Sequence, residues 1–296
     1  MNKTLIIFVC TMLGLPAMAE SINKTLDADP NGVVKISNIA GSVDVTGWSR
    51  SAIEVTGRLG DDVDELIFER NGDKVIIKVK TPSSSKMWGR KDISSKLVIR
   101  VPQGNSLEIT TISADIEVEG VHGEQELQAI SGDIETVTFS ADIQAESVSG
   151  DINVVGDNKD AEAELGSVSG DVTAQRLAGK ISAGSVSGDV IVHEGSFARA
   201  DIETVSGDID YKAALRDDGK LDAKTVNGDV RVSFVGDVSA RFDIETFNGD
   251  IDNCFGPKAE RTSRYAPGLE LSFTEGDGDG RVSISTLNGG VNLCKD

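Results

Sequence analysis

Aromatic residues make up only 4% of this 296-residue chain, and it holds two histidines, three cysteines and six prolines. Beyond the N-terminus, no stretch approaches the ~18 consecutive apolar residues of a membrane-spanning helix. Positive charge is also scarce, since 29 lysines and arginines face 49 acids, for a net charge of −20. Such a surface repels phosphate backbones, which argues against nucleic acid and against adsorption to anionic lipid; it suits cationic partners or divalent ions. His122 and His193 are too few for a His-rich metal site, and both read as surface residues. Serine is plentiful, but no Gly-x-Ser-x-Gly elbow and no helical pattern is present, so no catalytic residue is assigned. Polysaccharide-active β-helices keep carboxylates in a groove flanked by aromatic platforms, and the shortage of aromatics argues against that alternative.

The first residues carry Lys3, an apolar run from Leu5 to Leu15, and then Ala17-Met18-Ala19. This pattern predicts a secretory signal peptide over residues 1–19, because the run is too short to span a bilayer and small residues precede the cleavage point. Cys10 lies inside the apolar run, which does not fit a lipoprotein. Cleavage after Ala19 removes one lysine and no acid, moves the net charge to −21, and leaves Cys254 and Cys294. An exported protein is expected, in the periplasm by default and at the cell surface as the alternative.

The tripeptide Ser-Gly-Asp recurs at 131–133, 149–151, 169–171, 187–189 and 206–208, then drifts to Asn-Gly-Asp at 227–229 and 248–250 and to Asn-Gly-Gly at 288–290. Ser113-Ala114-Asp115 is an earlier copy. From Asp115 to Asp250 the steps are 18, 18, 20, 18, 19, 21 and 21 residues. The residue three before the Asp position and the residue one after it are apolar in all nine copies, from Ile112/Ile116 to Leu287/Val291. Alternation along a strand predicts that both point inward with the glycine, while Ser and Asp point outward. Half-period echoes at 139–143, 177–181 and 234–238 complete a coil that buries its apolar face only by stacking, so an all-β solenoid is predicted, about 43 Å long for nine coils. The glycine is needed either for a tight corner or for close approach of opposite walls.

Residues 20–105 have another texture and are assigned to an N-terminal strand-rich cap and first coil; residues 106–296 form the solenoid with a C-terminal insertion. In the cap, residues 33–37, 42–46, 52–58, 66–70, 74–80 and 96–101 read as strands, with Asn71-Gly72 as a hairpin turn. Asn38 to Val45 resembles a repeat copy. Trp48 reads as packed in the cap. The segment from Pro82 to Lys91, with Lys86, Trp88, Arg90 and Lys91, reads as an exposed partner loop. Cys254 and Cys294 each follow the corner position by four residues, which predicts adjacent coils and a disulfide.

The outward aspartates Asp115, Asp133, Asp151, Asp171, Asp189, Asp208, Asp229 and Asp250 form a column in which neighbours ~4.8 Å apart repel by about 0.9 kcal/mol in water. They read either as a ladder for calcium or another cation, or as turn residues that hydrogen-bond locally. The spacing lacks the Gly-Gly-x-Gly-x-Asp pattern of calcium-binding β-rolls, so no cofactor and no metal site is firmly assigned.

The run Leu97-Val98-Ile99-Arg100-Val101-Pro102, then Leu107-Glu108-Ile109, then the Val-Ser-Gly-Asp units, resembles the bacterial putative adhesin family of β-strand repeat proteins with a domain of unknown function. The resemblance covers residues 33–296. It implies a right-handed single-stranded β-helix, an envelope location and no catalytic residues. A binding or scaffolding module for an envelope protein, glycan or cationic ligand is therefore expected; a polysaccharide-active enzyme and a polymerising envelope protein are the alternatives.

Overall fold

The computed structural model describes residues 21–82, 92–263 and 267–295, and all regular structure among them is β. The signal-peptide residues lie outside this set, as do Lys86, Trp88, Arg90 and Lys91.

Each coil contributes two strands to two runs of parallel pairing. One run passes through Gln125–Ser131, Ile143–Ser149, Asp160–Ser167 and Ala178–Ser187, and on to 199–206 and 220–227. The other passes through Ile134–Val137, Ile152–Val155, Val172–Gln175, 190–193 and 209–213. We call them the first and second faces. Their inward residues are buried aliphatics such as Leu127, Ala145, Ile152 and Val190, and at the C-terminal end Tyr211, Phe234 and Phe242. Neighbouring aromatic centroids there lie 4.5–6.2 Å apart, from Phe197 through to Phe273, so a row of aromatics fills one end of the core. Burial drives the Tyr211 hydroxyl well above its usual pKa, and it donates to the Ala214 carbonyl.

The Ser-Gly-Asp segment is the corner between the faces. A Cβ on Gly132, Gly150, Gly170, Gly188 or Gly207 would lie 2.1–2.2 Å from the carbonyl oxygen of the equivalent residue one coil earlier. The glycine is thus required by coil-on-coil approach at a corner, not by opposite walls meeting across the core. The opposite corner is built differently, from left-handed Ser140, Asn158, Arg176 and Glu194, with φ of 49–61°.

Both ends depart from sequence order. Val33–Trp48 stacks directly on Ser106–Glu119, with Asn38 opposite Thr111 and Ser42 opposite Asp115, so the repeat copy read at Asn38 to Val45 is in register. Ala52–Arg58, Glu65–Asn71, Lys74–Lys80 and Ser94–Pro102 fold beyond it, close to the ranges predicted from sequence. The strand Ser21–Asp27, which the sequence reading missed, adds to their edge. Trp48 is half-buried and donates from Nε1 to the Ala52 carbonyl. At the other end, Gly280–Asn288 and Val291–Lys295 insert between the coil of Val230 and the coil of Ile251. The last coil in the chain is therefore not the last in space; Ala240–Asn248 is, and antiparallel Leu269–Glu275 covers it. Cys254 and Cys294 form the disulfide across this insertion, with Cα atoms 4.9 Å apart. Closing a loop of 40 residues is worth about 4 kcal/mol in the chain-entropy model.

Candidate functional site

At most corners the chain repeats a six-residue unit: Ser or Thr, an apolar residue, Ser or Asn, Gly, Asp, and an apolar residue; Ala129 replaces the opening hydroxyl on one coil, Ala114 the glycine on another and Gly290 the aspartate on a third. The opening hydroxyl is buried and donates to the glycine carbonyl of the neighbouring coil, as in Ser167 to Gly150 at 3.1 Å and Ser185 to Gly170 at 2.9 Å. The aspartates are equally regular. Oδ1 of Asp133, Asp151, Asp171, Asp189 and Asp208 accepts the backbone N–H of the next aspartate, at 2.7–2.9 Å. Oδ1 of Asp115 and Asp229 does the same for Asp133 and Gly290. These are charge-assisted bonds to donors that the corner would otherwise leave without a partner in the fold. Oδ2 of Asp208 and of Asp229 lies within 3.6 Å of the Arg231 guanidinium. Among the described residues, no group of three or more His, Cys, Asp or Glu is placed to hold a metal ion. His122 is exposed; His193 is half-buried, with Nε2 3.3 Å from Asp210.

The apolar partner three residues before each aspartate does not face the core, contrary to the inward orientation predicted by alternation. Ile112, Ile130, Val148, Val168, Val186, Val205, Val226, Leu287 and Phe247 are 39–50% exposed, whereas eight of the nine apolar residues that follow the Asp position, all but the half-buried Ile251, are buried. The reason is geometric. The corner places two successive residues, such as Val148 and Ser149, on the outside, so the period of two is broken between the apolar pair. The result is a straight column of nine exposed aliphatic or aromatic side chains, the order at its end being Val226, Leu287, Phe247.

This column borders a trough on the first face. Along the first four rungs it encloses ≈ 570 Å³, with Ala129, Ser147 and Ser167 between the column and a second row, Thr110, Gln128, Glu146 and Gly166. Near its far end a second hollow is walled by Thr262 and Gly268 beside Phe247. Gly166 has ordinary φ, and a Cβ there would meet nothing within 4 Å; it is the only described glycine of that kind, so the fold does not require it.

The same face carries an uneven charge. Its first half has a hollow lined by Glu108, Glu124, Glu126, Asp142, Glu162 and Glu164. Its second half carries Lys180, Arg199, Lys220, Arg281 and Arg241, side by side on successive coils. In the column nine residues before the corner Asp position, the order through the stack is Ser106, Glu124, Asp142, Glu162, Lys180, Arg199, Lys220, Arg281, Arg241. Its sign switches once, at mid-stack. Asp201 beside Arg199 raises the guanidinium pKa, and Asp222 beside Lys224 does the same for that ammonium. Both signals were available to sequence reading as fixed offsets from the Asp position. The apolar offset lies on the outer side, opposite to the inward side that alternation predicts.

A family model described as Toastrack DUF4097 matches residues 42–294. No curated protein matches. Among solved structures, a putative adhesin from Bacteroides fragilis is similar at 11% identity and a TM-score of 0.50, covering 96% of this chain and all of that one. A putative adhesin from Parabacteroides merdae is 10% identical over 94% of this chain and 96% of that one, with a TM-score of 0.48. A putative lipid binding protein from Parabacteroides distasonis is 14% identical over 92% and 96%, with a TM-score of 0.44. At such identities the Bacteroides fragilis likeness speaks to the fold alone.

Proposed function

The chain belongs to the Toastrack DUF4097 family, and on that footing we propose that it is a non-enzymatic binding module of the bacterial envelope whose contact surface is the first face. The observation that carries this reading is the exposed apolar column. Nine such side chains in line expose roughly 600–700 Å², at or above the ~300–600 Å² of the largest patch on an ordinary monomer. Folding gains little from leaving them in water. Export rests on the leader-like N-terminus and on the Cys254–Cys294 disulfide, which suits an oxidising compartment; the periplasm is the location we assign. A right-handed coil is the sense we assign, following the crossover rule for parallel strands.

The test is whether the column is covered where the protein works. Val186→Cys on the column and Asn153→Cys on the exposed second face are expressed in the native envelope and treated with a thiol-reactive probe. The cysteine at position 153 is expected to label readily and that at 186 to be at least fivefold slower. Equal labelling in intact envelopes would sink the reading.

A further inference from the structure

We propose that the occupant of the first face is a second copy of this chain, packed face to face with its stack reversed about a two-fold axis. This rests on the reading of that face as the contact surface and goes beyond it by naming the partner.

Charge complementarity carries the inference. In a reversed copy each coil meets its mirror position, counted from the mid-stack coil of Lys180 and Val186. The column that changes sign once then becomes complementary on either side of the axis, where Lys180 meets Lys180: Glu124 faces Arg281, Asp142 faces Lys220 and Glu162 faces Arg199, while in the next outward column Glu164 meets Asp201 and Glu108 meets Asp243. A copy stacked in the same direction would put like charge on like charge, a costly arrangement. Arg199 and Arg281 also hold Asp201 and Asp243 of their own coils, so each joins a shared network. The apolar column meets itself in the same way, Val186 against Val186 and Ile112 against Phe247. A two-fold contact of this kind is isologous, the commonest symmetry of soluble oligomers.

Spacing and area agree. Another β-stack repeats at the same ~4.8 Å as this one, whereas an extended peptide presents side chains on one face only every ~6.7 Å and falls out of step. From the apolar column to the charge column is six residues, ~20 Å, over ~43 Å of stack. The product, roughly 800–900 Å², matches the ~800 Å² each partner contributes to a standard interface. Gly166 and Gly184 leave the second row low at mid-stack, where the two copies come closest.

The experiment is sedimentation equilibrium and oxidative cross-linking on the exported chain. A dimer is expected, weakened at least tenfold by Val148→Thr, Val168→Thr and Val186→Thr together, near-isosteric changes on exposed side chains that keep the fold. Glu162→Arg or Arg199→Glu alone should weaken it, and the two in one chain should restore it. Val186→Cys should cross-link to itself; Ile112→Cys should not, but should cross-link to Phe247→Cys in a mixture. A chain that stays monomeric up to high concentration, or Ile112→Cys joining itself as readily as Val186→Cys, would overturn the proposal. If the chain is monomeric while position 186 is protected in the envelope, the contact surface stands and the identity of its occupant falls. If position 186 is unprotected as well, both fall.

Discussion

On eight of the nine repeat coils an exposed apolar residue and an aspartate stand three positions apart, and the stack treats them in opposite ways. Each aspartate from Asp133 to Asp229 accepts a backbone N–H from the next coil, beside a glycine that has no room for a Cβ. The apolar residue makes no comparable contribution to the fold and is left half in water. Two equally regular columns thus have different causes: one is the hydrogen-bonding of the corner, and the other is a surface kept for something else. Regularity in a repeat protein does not by itself tell structure from function; what each side chain touches does.

The sharpest way to break this contrast is with glycine. Gly170→Ala forces a Cβ to within 2.2 Å of the Gly150 carbonyl oxygen, backbone against backbone, and is expected to lower stability by about 3 kcal/mol in urea denaturation. Glu194→Gly, at a left-handed residue of the return corner, should raise stability by up to about 1 kcal/mol, because that corner relies on φ where the other relies on space. Gly166→Thr should be neutral or stabilising by about 0.5 kcal/mol, since a β-branched residue enters open space on a strand. It should also weaken self-association by filling the second row. A large loss of stability at Gly166 would remove the contrast between the two glycine positions.

Much of this was legible in the sequence. The Ser-Gly-Asp spacing revealed the coil, and the cap strands Ala52–Arg58 and Lys74–Lys80 occupy the ranges that alternation indicated. The shared register of Cys254 and Cys294 placed them on adjacent coils. Three features were not read correctly. The orientation of Val148 and its equivalents failed because parity along a strand does not survive a corner that turns two successive residues outward. The return corner was read only through the half-period echoes at 139–143 and 177–181, and its left-handed turn was not, because Ser140, Asn158, Arg176 and Glu194 share that φ but no chemistry. The insertion of Gly280–Asn288 between earlier coils left no local trace, since a strand in a parallel stack carries the same pattern whichever neighbours it has. The contact surface follows from the first of these: a column that strict alternation would place in the core lies instead on the outside.

The central claim is tested most directly by urea unfolding at high dilution, where association does not contribute. Three triple variants are compared with the parent: Asp151, Asp171 and Asp189 to Ala, the same three to Asn, and Val148, Val168 and Val186 to Thr. Asparagine removes the same charge as alanine but keeps an acceptor, so the alanine triple should unfold about 3 kcal/mol below the asparagine triple, about 1 kcal/mol per bond. The threonine triple should stay within about 0.5 kcal/mol of the parent. Coincident alanine and asparagine curves, or a threonine triple that loses as much as the alanine one, would contradict the division between a column that folds the chain and a column that binds.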